Sequence, residues 1–204
     1  MGTMNITEIV KPFLERKVGV EQVWREHGDE IRAIDEGKNA DEVWALSIIY
    51  YNYGTYLENN GYKTESLKYI DGAIEFFVKG KHFITPNEYD DTIENMLQTK
   101  AFVLVSLEKF KEALAYFKIL KERFPSKDTY RIHYHNCFQA MINKWINPIY
   151  VVIAICMAIY ALVNWVINMS FFPGWLFDFY WYLWIVLLIV QFVVPWVVKV
   201  TDNK

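Results

Sequence analysis

The chain has 204 residues and a net charge of −3, and 53% of its residues are hydrophobic and 18% aromatic. This aromatic content excludes a disordered protein. The charges are unevenly distributed, because 19 of the 21 basic and 22 of the 24 acidic residues lie within residues 1–144. The composition of the remainder excludes a protein that is soluble over its whole length.

The sequence pattern of residues 1–144 predicts that this part of the chain is helical. Apolar residues recur there with the 3.6-residue period of a helix, and no stretch shows the two-residue alternation of a half-buried strand. Because glycine and proline interrupt helices, we expect helices to end near Gly37, Gly61, Gly80 and Pro125. The predicted fold class is therefore all-α.

A last polar helix is predicted ahead of the apolar tail, with Ser126 or Asp128 as its N-cap. It forms a juxtamembrane segment over residues 129–147. Asn147-Pro148 is expected to break or bend it into the next helix, because a proline ring clashes with the preceding helical turn.

The segment LQTKAFVLVSLEKFKEALAYFKILKERFP, residues 97–125, resembles a tetratricopeptide repeat. That family has a 34-residue unit of two helices, with small residues where the helices cross and a proline at the end. Ala101, Ala113, Phe117 and Pro125 take the family's small, aromatic and closing positions. A generic helical bundle is the alternative interpretation.

A weaker match to the same family begins near Tyr50, with Gly54 and Leu57 in the first helix, Gly61 at the turn, and Ser66, Ile70 and Ala73 in the second helix. Together the matches cover residues 44–125. They imply helical repeats over residues 41–128, with N-terminal helices over 1–40 packed on them and an insertion near 79–91 that departs from the family.

The resemblance also implies a concave surface, lined by the first helix of each unit, that binds a peptide or a partner helix. Residues 1–96 hold 10 basic and 18 acidic groups, so the expected ligand is a basic helix or one of mixed polarity. The alternative is that these residues pack within the bundle. The groove positions are Tyr51, Thr55, Asn95, Gln98 and Phe102.

Two stretches without a formal charge, residues 149–169 and 180–198, predict a pair of transmembrane helices. Each has about twenty residues, enough to cross a hydrocarbon core of roughly 30 Å. The intervening SFFPG predicts a helix stop and a turn. We therefore expect membrane helices over 148–170 and 176–199, joined by an extracytoplasmic loop over 171–175.

Basic residues flank the two spans and are absent from the loop between them. The positive-inside rule then places both termini in the cytoplasm and the protein in the inner (cytoplasmic) membrane. Residues 97–144, with 9 basic and 4 acidic groups, would lie against anionic lipid. The predicted interface anchors are Lys144, Trp145, Tyr150, Trp175, Tyr180, Trp181, Trp196 and Lys199.

Polar and small residues within the spans leave two interpretations open. Either the hairpin is a passive anchor, or these residues pair between subunits and build a homo-oligomer, with or without a polar lumen. They are Ala154, Ala158, Ala161, Asn164, Asn168 and Gln191.

Gln191 has a second expected role, because Pro195 lacks the N–H that would bond the Gln191 carbonyl four residues earlier. In a symmetric antiparallel hairpin, Gln191 would lie at the depth of Ile155 and Cys156.

Catalytic and metal-binding motifs are not found in the sequence. His133 and Cys137 share a helix face, whereas His135 points away, which leaves too few ligands for zinc. The predicted cofactor set is therefore empty, and we expect a protein that is not an enzyme. The acidic N-terminal part also argues against nucleic acid as a partner.

The predicted function is a membrane-anchored cytoplasmic adaptor or scaffold that binds an unidentified protein or peptide at the bilayer. The alternative is an oligomeric membrane-perturbing effector or channel of the bacterial defence type, with a cytoplasmic helical sensor. A third hypothesis is an immunity protein against a membrane-directed toxin, which shares every sequence feature of the adaptor.

Overall fold

A computed structural model describes residues 5–167 and 174–201, and within these ranges every regular element is a helix. The chain divides into two compact units, Met1–Pro125 and Ser126–Lys204. The first unit has six α-helices and a short 3-10 helix at Lys81–Phe83. The helices are α1 (Ile6–Leu14), α2 (Val20–Arg32), α3 (Ala40–Asn59), α4 (Lys63–Lys79), α5 (Pro86–Ser106) and α6 (Phe110–Arg123).

Helices α1 and α2 pack against the first half of α3. Trp24 of α2 is nearly buried there, and its indole stacks on Tyr53 with ring centroids 4.7 Å apart. Its Nε1 donates a 3.4 Å hydrogen bond to the Ile49 carbonyl. The apolar stripes of the three helices thus close one core, formed by Ile6, Ile9, Val10, Val23, Trp24, Ile31, Ala45, Leu46 and Ile49.

Helices α3 and α4 are joined by a tight turn and cross closely. Gly61 in the turn has a φ of +87°, a left-handed conformation that favours glycine. At the crossing, a Cβ on Gly54 would lie 2.8 Å from Ile70 Cγ1 and 3.2 Å from the Ser66 carbonyl oxygen. Glycine at position 54 therefore lets the two helix backbones approach each other.

Helices α5 and α6 form the other pair of this unit. Ala101 of α5 and Ala113 and Phe117 of α6 are buried between them and their neighbours. The residues predicted as an insertion, 79–91, do not form a separate element. Lys79 ends α4, the next six residues form a short connection that contains the 3-10 helix, and the remainder are the first turns of α5, which begins at Pro86.

The second unit consists of α7 (Asp128–Ile167) and α8 (Gly174–Thr201). Of the predicted break or bend at Asn147-Pro148, the break is not present, because α7 continues through Pro148 as one helix of 40 residues. A bend there stays a prediction. Two helical stretches of the described residues, Asp128–Leu162 and Asp178–Val198, are long and apolar enough to cross a membrane.

Candidate functional site

The α3 part of the predicted groove contains Tyr51 and Thr55, which are both half-buried. The Tyr51 hydroxyl lies 2.8 Å from Thr99 Oγ1 of α5, so a hydrogen bond joins the two helices. Thr55 Oγ1 donates to the Tyr51 carbonyl at 3.0 Å, within its own helix. Sequence reasoning missed Thr99, because only the tertiary arrangement shows that it faces Tyr51.

The α5 part of the groove is more open. Asn95 is exposed, and its Nδ2 donates to the Asp91 carbonyl at 3.0 Å. Gln98 is half-buried, whereas Phe102 is 38% exposed. The Phe102 ring also contacts Phe117 edge-on, with centroids 5.5 Å apart. Phe102 therefore packs in the bundle and still presents part of its ring to a partner.

A charged contact beside these residues ties three helices together. Lys100 Nζ of α5 lies 2.6 Å from Asp71 Oδ1 of α4 and also donates to the Tyr116 hydroxyl of α6. Burial works against the charged ammonium, but the hydrogen bonds that Lys100 donates to Asp71 and Tyr116 raise its pKa above the ordinary value. This contact holds α5 in place under the open face.

Among the described residues, no three His, Cys, Asp or Glu side chains come together as a metal site. His133 is half-buried on α7, and Cys137, one turn later, is buried. Cys137 and Cys156 are not joined by a disulfide bond.

One face of α7 contacts α8. On this face Ile146 and Ile153 are buried, and Gln139, Asn143 and Tyr150 are half-buried, at spacings of three or four residues. This spacing is that of a helix-pair seam. We call these five residues the α7 seam.

The small-residue stripe lies outside the α7 seam. Ala154, Ala158 and Ala161 are exposed, so α8 does not use the stripe for the close contact that the sequence suggests. Asn168 lies outside the described residues, and so does the side chain of Asn164. The oligomerisation role of these residues therefore stays a prediction.

Three amide side chains form a hydrogen-bonded cluster between α7 and α8. Asn143 Oδ1 accepts from Gln139 Nε2 and from Gln191 Nε2, each at 3.1 Å. Gln139 Nε2 also donates to the Gln191 carbonyl at 3.0 Å. That carbonyl is the one that Pro195 leaves without its helical donor. We refer to these residues as the amide cluster.

The amide cluster corrects the depth expected for Gln191. A symmetric hairpin would place this residue beside Ile155 and Cys156, but it lies beside Asn143, about three helical turns nearer the start of α7. The symmetric estimate was wrong because it assumed that equal numbers of residues separate paired positions from the middle of the loop. The three amide side chains instead form their hydrogen bonds at a different alignment of the two helices.

The predicted interface anchors are mostly exposed. Lys144 and Trp181 are exposed, as are Trp145, Trp175 and Trp196, each more than 60%. Two tyrosines differ from them: Tyr180 is half-buried, and Tyr150 belongs to the α7 seam. The Tyr150 hydroxyl is buried and has no hydrogen-bond partner among the described residues. The Lys199 side chain lies outside what the structure describes.

Comparisons with protein-family models, curated proteins and solved structures gave no match to this chain. Its function is therefore argued from its own geometry: an open face on α3 and α5 in the first unit, and an apolar helix pair with one polar cluster in the second.

Proposed function

We propose that the protein is a membrane-anchored adaptor, held in the bilayer by α7 and α8 and binding another protein through its helical first unit. The observation that carries the anchoring is the exposed apolar surface of the helix pair. Side chains such as Val152, Leu162 and Phe192 are at least 60% exposed. Contiguous apolar surface on this scale requires a lipid or protein cover, and two helices of this length suit a bilayer.

The proposed topology places both termini in the cytoplasm. Its support is the distribution of basic residues, which precede α7 and follow α8 but are absent from the connection between them. The exposed tryptophans near the ends of the apolar stretches fit the two interfacial regions of a bilayer.

For the first unit we propose a tetratricopeptide-like arrangement. Two features support it: α3 pairs with α4 and α5 with α6, and α3 approaches α4 closely at Gly54. In such an arrangement the first helices of the two repeats are neighbours, and the Tyr51–Thr99 hydrogen bond between α3 and α5 supports this. The face around Asn95 and Phe102 would then receive a partner helix, with basic side chains favoured by the acidic surroundings.

The alternative is an oligomeric channel or effector in which Asn164, Asn168 and Gln191 pair between subunits. Gln191 already has partners within its own helix pair, which speaks against its share in that pairing. An immunity protein would use the same anchor and face, and only the identity of its partner separates it from a scaffold.

The anchoring is tested by extracting membranes with alkaline carbonate. We expect the full-length chain to stay in the pellet and a chain lacking residues 145–204 to be released. For topology, Gly174→Cys, in the expected loop, and Lys204→Cys are made in a background with Cys137→Ser and Cys156→Ser. An impermeant maleimide added to intact cells should label position 174 only. Labelling of position 204 alone would reverse the topology.

The binding face is tested with a photoreactive amino acid in place of Asn95 in the full-length protein. Lys118, exposed on α6, provides the matched control position. We expect a discrete cross-linked partner from position 95 and none from position 118, with the product lost in the Phe102→Glu variant. Equal cross-linking from both positions would refute the proposed face.

A further inference from the structure

We infer that the amide cluster sets the register between α7 and α8, and that Pro195 takes part by leaving the Gln191 carbonyl open to a donor from the other helix. The inference builds on the proposed membrane insertion, because it concerns the helix pair in an apolar medium. In such a medium every unbonded polar group is costly, so amide side chains that meet are held together.

The apolar side chains between α7 and α8 do not by themselves fix one alignment of the two helices. The α7 seam offers Ile146 and Ile153, and α8 offers a run of Ile, Val and Leu with similar volumes over residues 185–190. A slide of one turn would replace one branched apolar contact by another. Polar residues within an apolar helix interface are the known means of fixing register, because they bond at one alignment only.

The amide cluster meets that requirement. A slide of α8 by one turn in either direction would bring Leu187 or Pro195 to Asn143 in place of Gln191, and neither side chain can donate to its Oδ1. The same slide would move the Gln191 carbonyl away from Gln139. Both interhelical hydrogen bonds are therefore lost together, so the cluster forms at one alignment of the two helices and not at its neighbours.

Pro195 makes the cluster depend on the backbone as well as on side chains. With any other residue at position 195, its N–H would bond the Gln191 carbonyl within α8. Proline removes that donor, and Gln139 Nε2 supplies another at 3.0 Å. The effect of changing Gln139 should therefore depend on residue 195, although the two side chains lie on different helices.

The first test measures the folding equilibrium of the full-length protein by titrating a mild detergent with SDS. Gln139→Leu should lower the equilibrium constant about threefold for each interhelical bond lost, the equivalent of 0.6 kcal/mol. In a Pro195→Ala background the same change should cost less. Asn147→Leu, an exposed amide one turn after Asn143, is the matched control and should have little effect. Equal losses from Gln139→Leu in both backgrounds would overturn the role of Pro195.

The second test reports geometry and not stability. In micelles containing the full-length protein with 15N-labelled Gln and Asn, we expect nuclear Overhauser effects between the side-chain amides of Gln191 and Asn143. Dilution with unlabelled chains should leave their intensity per labelled chain unchanged. Loss of the signal on dilution would show pairing between subunits and overturn the inference, as would contacts from Gln191 to Ile155. Neither outcome bears on carbonate extraction or cross-linking at Asn95, so the adaptor proposal is judged separately.

Discussion

The close crossing of α3 and α4 predicts that Gly54→Ala destabilises the first unit. The added methyl group would lie 2.8 Å from Ile70 Cγ1, 3.2 Å from the Ile70 backbone nitrogen and 3.2 Å from the Ser66 carbonyl oxygen. Ile70 and Ser66 are both fully buried. Since two of the three close atoms belong to the backbone, a rotamer change cannot relieve the crowding, and the helices must separate.

Two opposing contributions set the size of this effect. Alanine is favoured over glycine in a helix by up to about 1 kcal/mol. Overpacking a closed core costs about 1–3 kcal/mol. We therefore expect a net loss of about 1 kcal/mol in the free energy of unfolding, which lowers the melting temperature of a unit of this size by roughly 3–6 °C.

The assay is thermal unfolding of the full-length protein in detergent, followed by far-UV circular dichroism. Lys68→Ala is the control, because Lys68 is exposed on α4 and alanine is an equally good helix former there. It should shift the free energy of unfolding by less than about 0.5 kcal/mol. If Gly54→Ala proves as stable as wild type or more so, the close helix crossing is refuted.

Two further predictions concern single contacts. Asp71→Asn should destabilise the first unit by about 0.5–1 kcal/mol, since Asp71 is half exposed to solvent. Because the pKa of Lys100 is raised on folding, this difference should be constant from neutral pH up to the ordinary lysine value of 10.5 and shrink as the pH rises above it. Chemical denaturation at several pH values measures it, and a difference that grows in alkali would contradict the ion pair. Tyr150→Phe removes a buried hydroxyl without a described partner, and we expect unchanged or increased stability, by up to about 1–2 kcal/mol, in the SDS titration. A marked loss would mean that the hydroxyl is bonded.

The sequence predicts three of the four expected helix ends in the first unit, because local signals stop these helices. The fourth was wrong: α2 ends at Arg32, five residues before Gly37. The turn at Gly61, the end of α4 before Gly80 and the stop ahead of Pro125 all lie where glycine or proline interrupts the apolar period. Such signals act within one or two turns, so they can be recognised without knowledge of the tertiary structure.

The helix contacts of the second unit were less predictable. Pro148 is a local signal for a break, yet α7 continues through it. The choice of Gln139 and Asn143 as partners of Gln191 depends on the alignment of two helices, which no local pattern encodes. The alanine stripe shows the same limit: small residues indicate a surface that can pack closely, but not whether anything packs there.

The single-seam contact between α7 and α8 has a practical consequence for handling the protein. Apart from that seam, most of the apolar circumference of α8 is exposed, including Trp175, Phe192 and Trp196. In solution this surface would collect a belt of detergent whose mass is a substantial addition to the 24.3 kDa of the polypeptide. Elution volumes alone would then overstate the number of subunits, whereas light scattering combined with refractive index and absorbance would count the polypeptide separately from its belt.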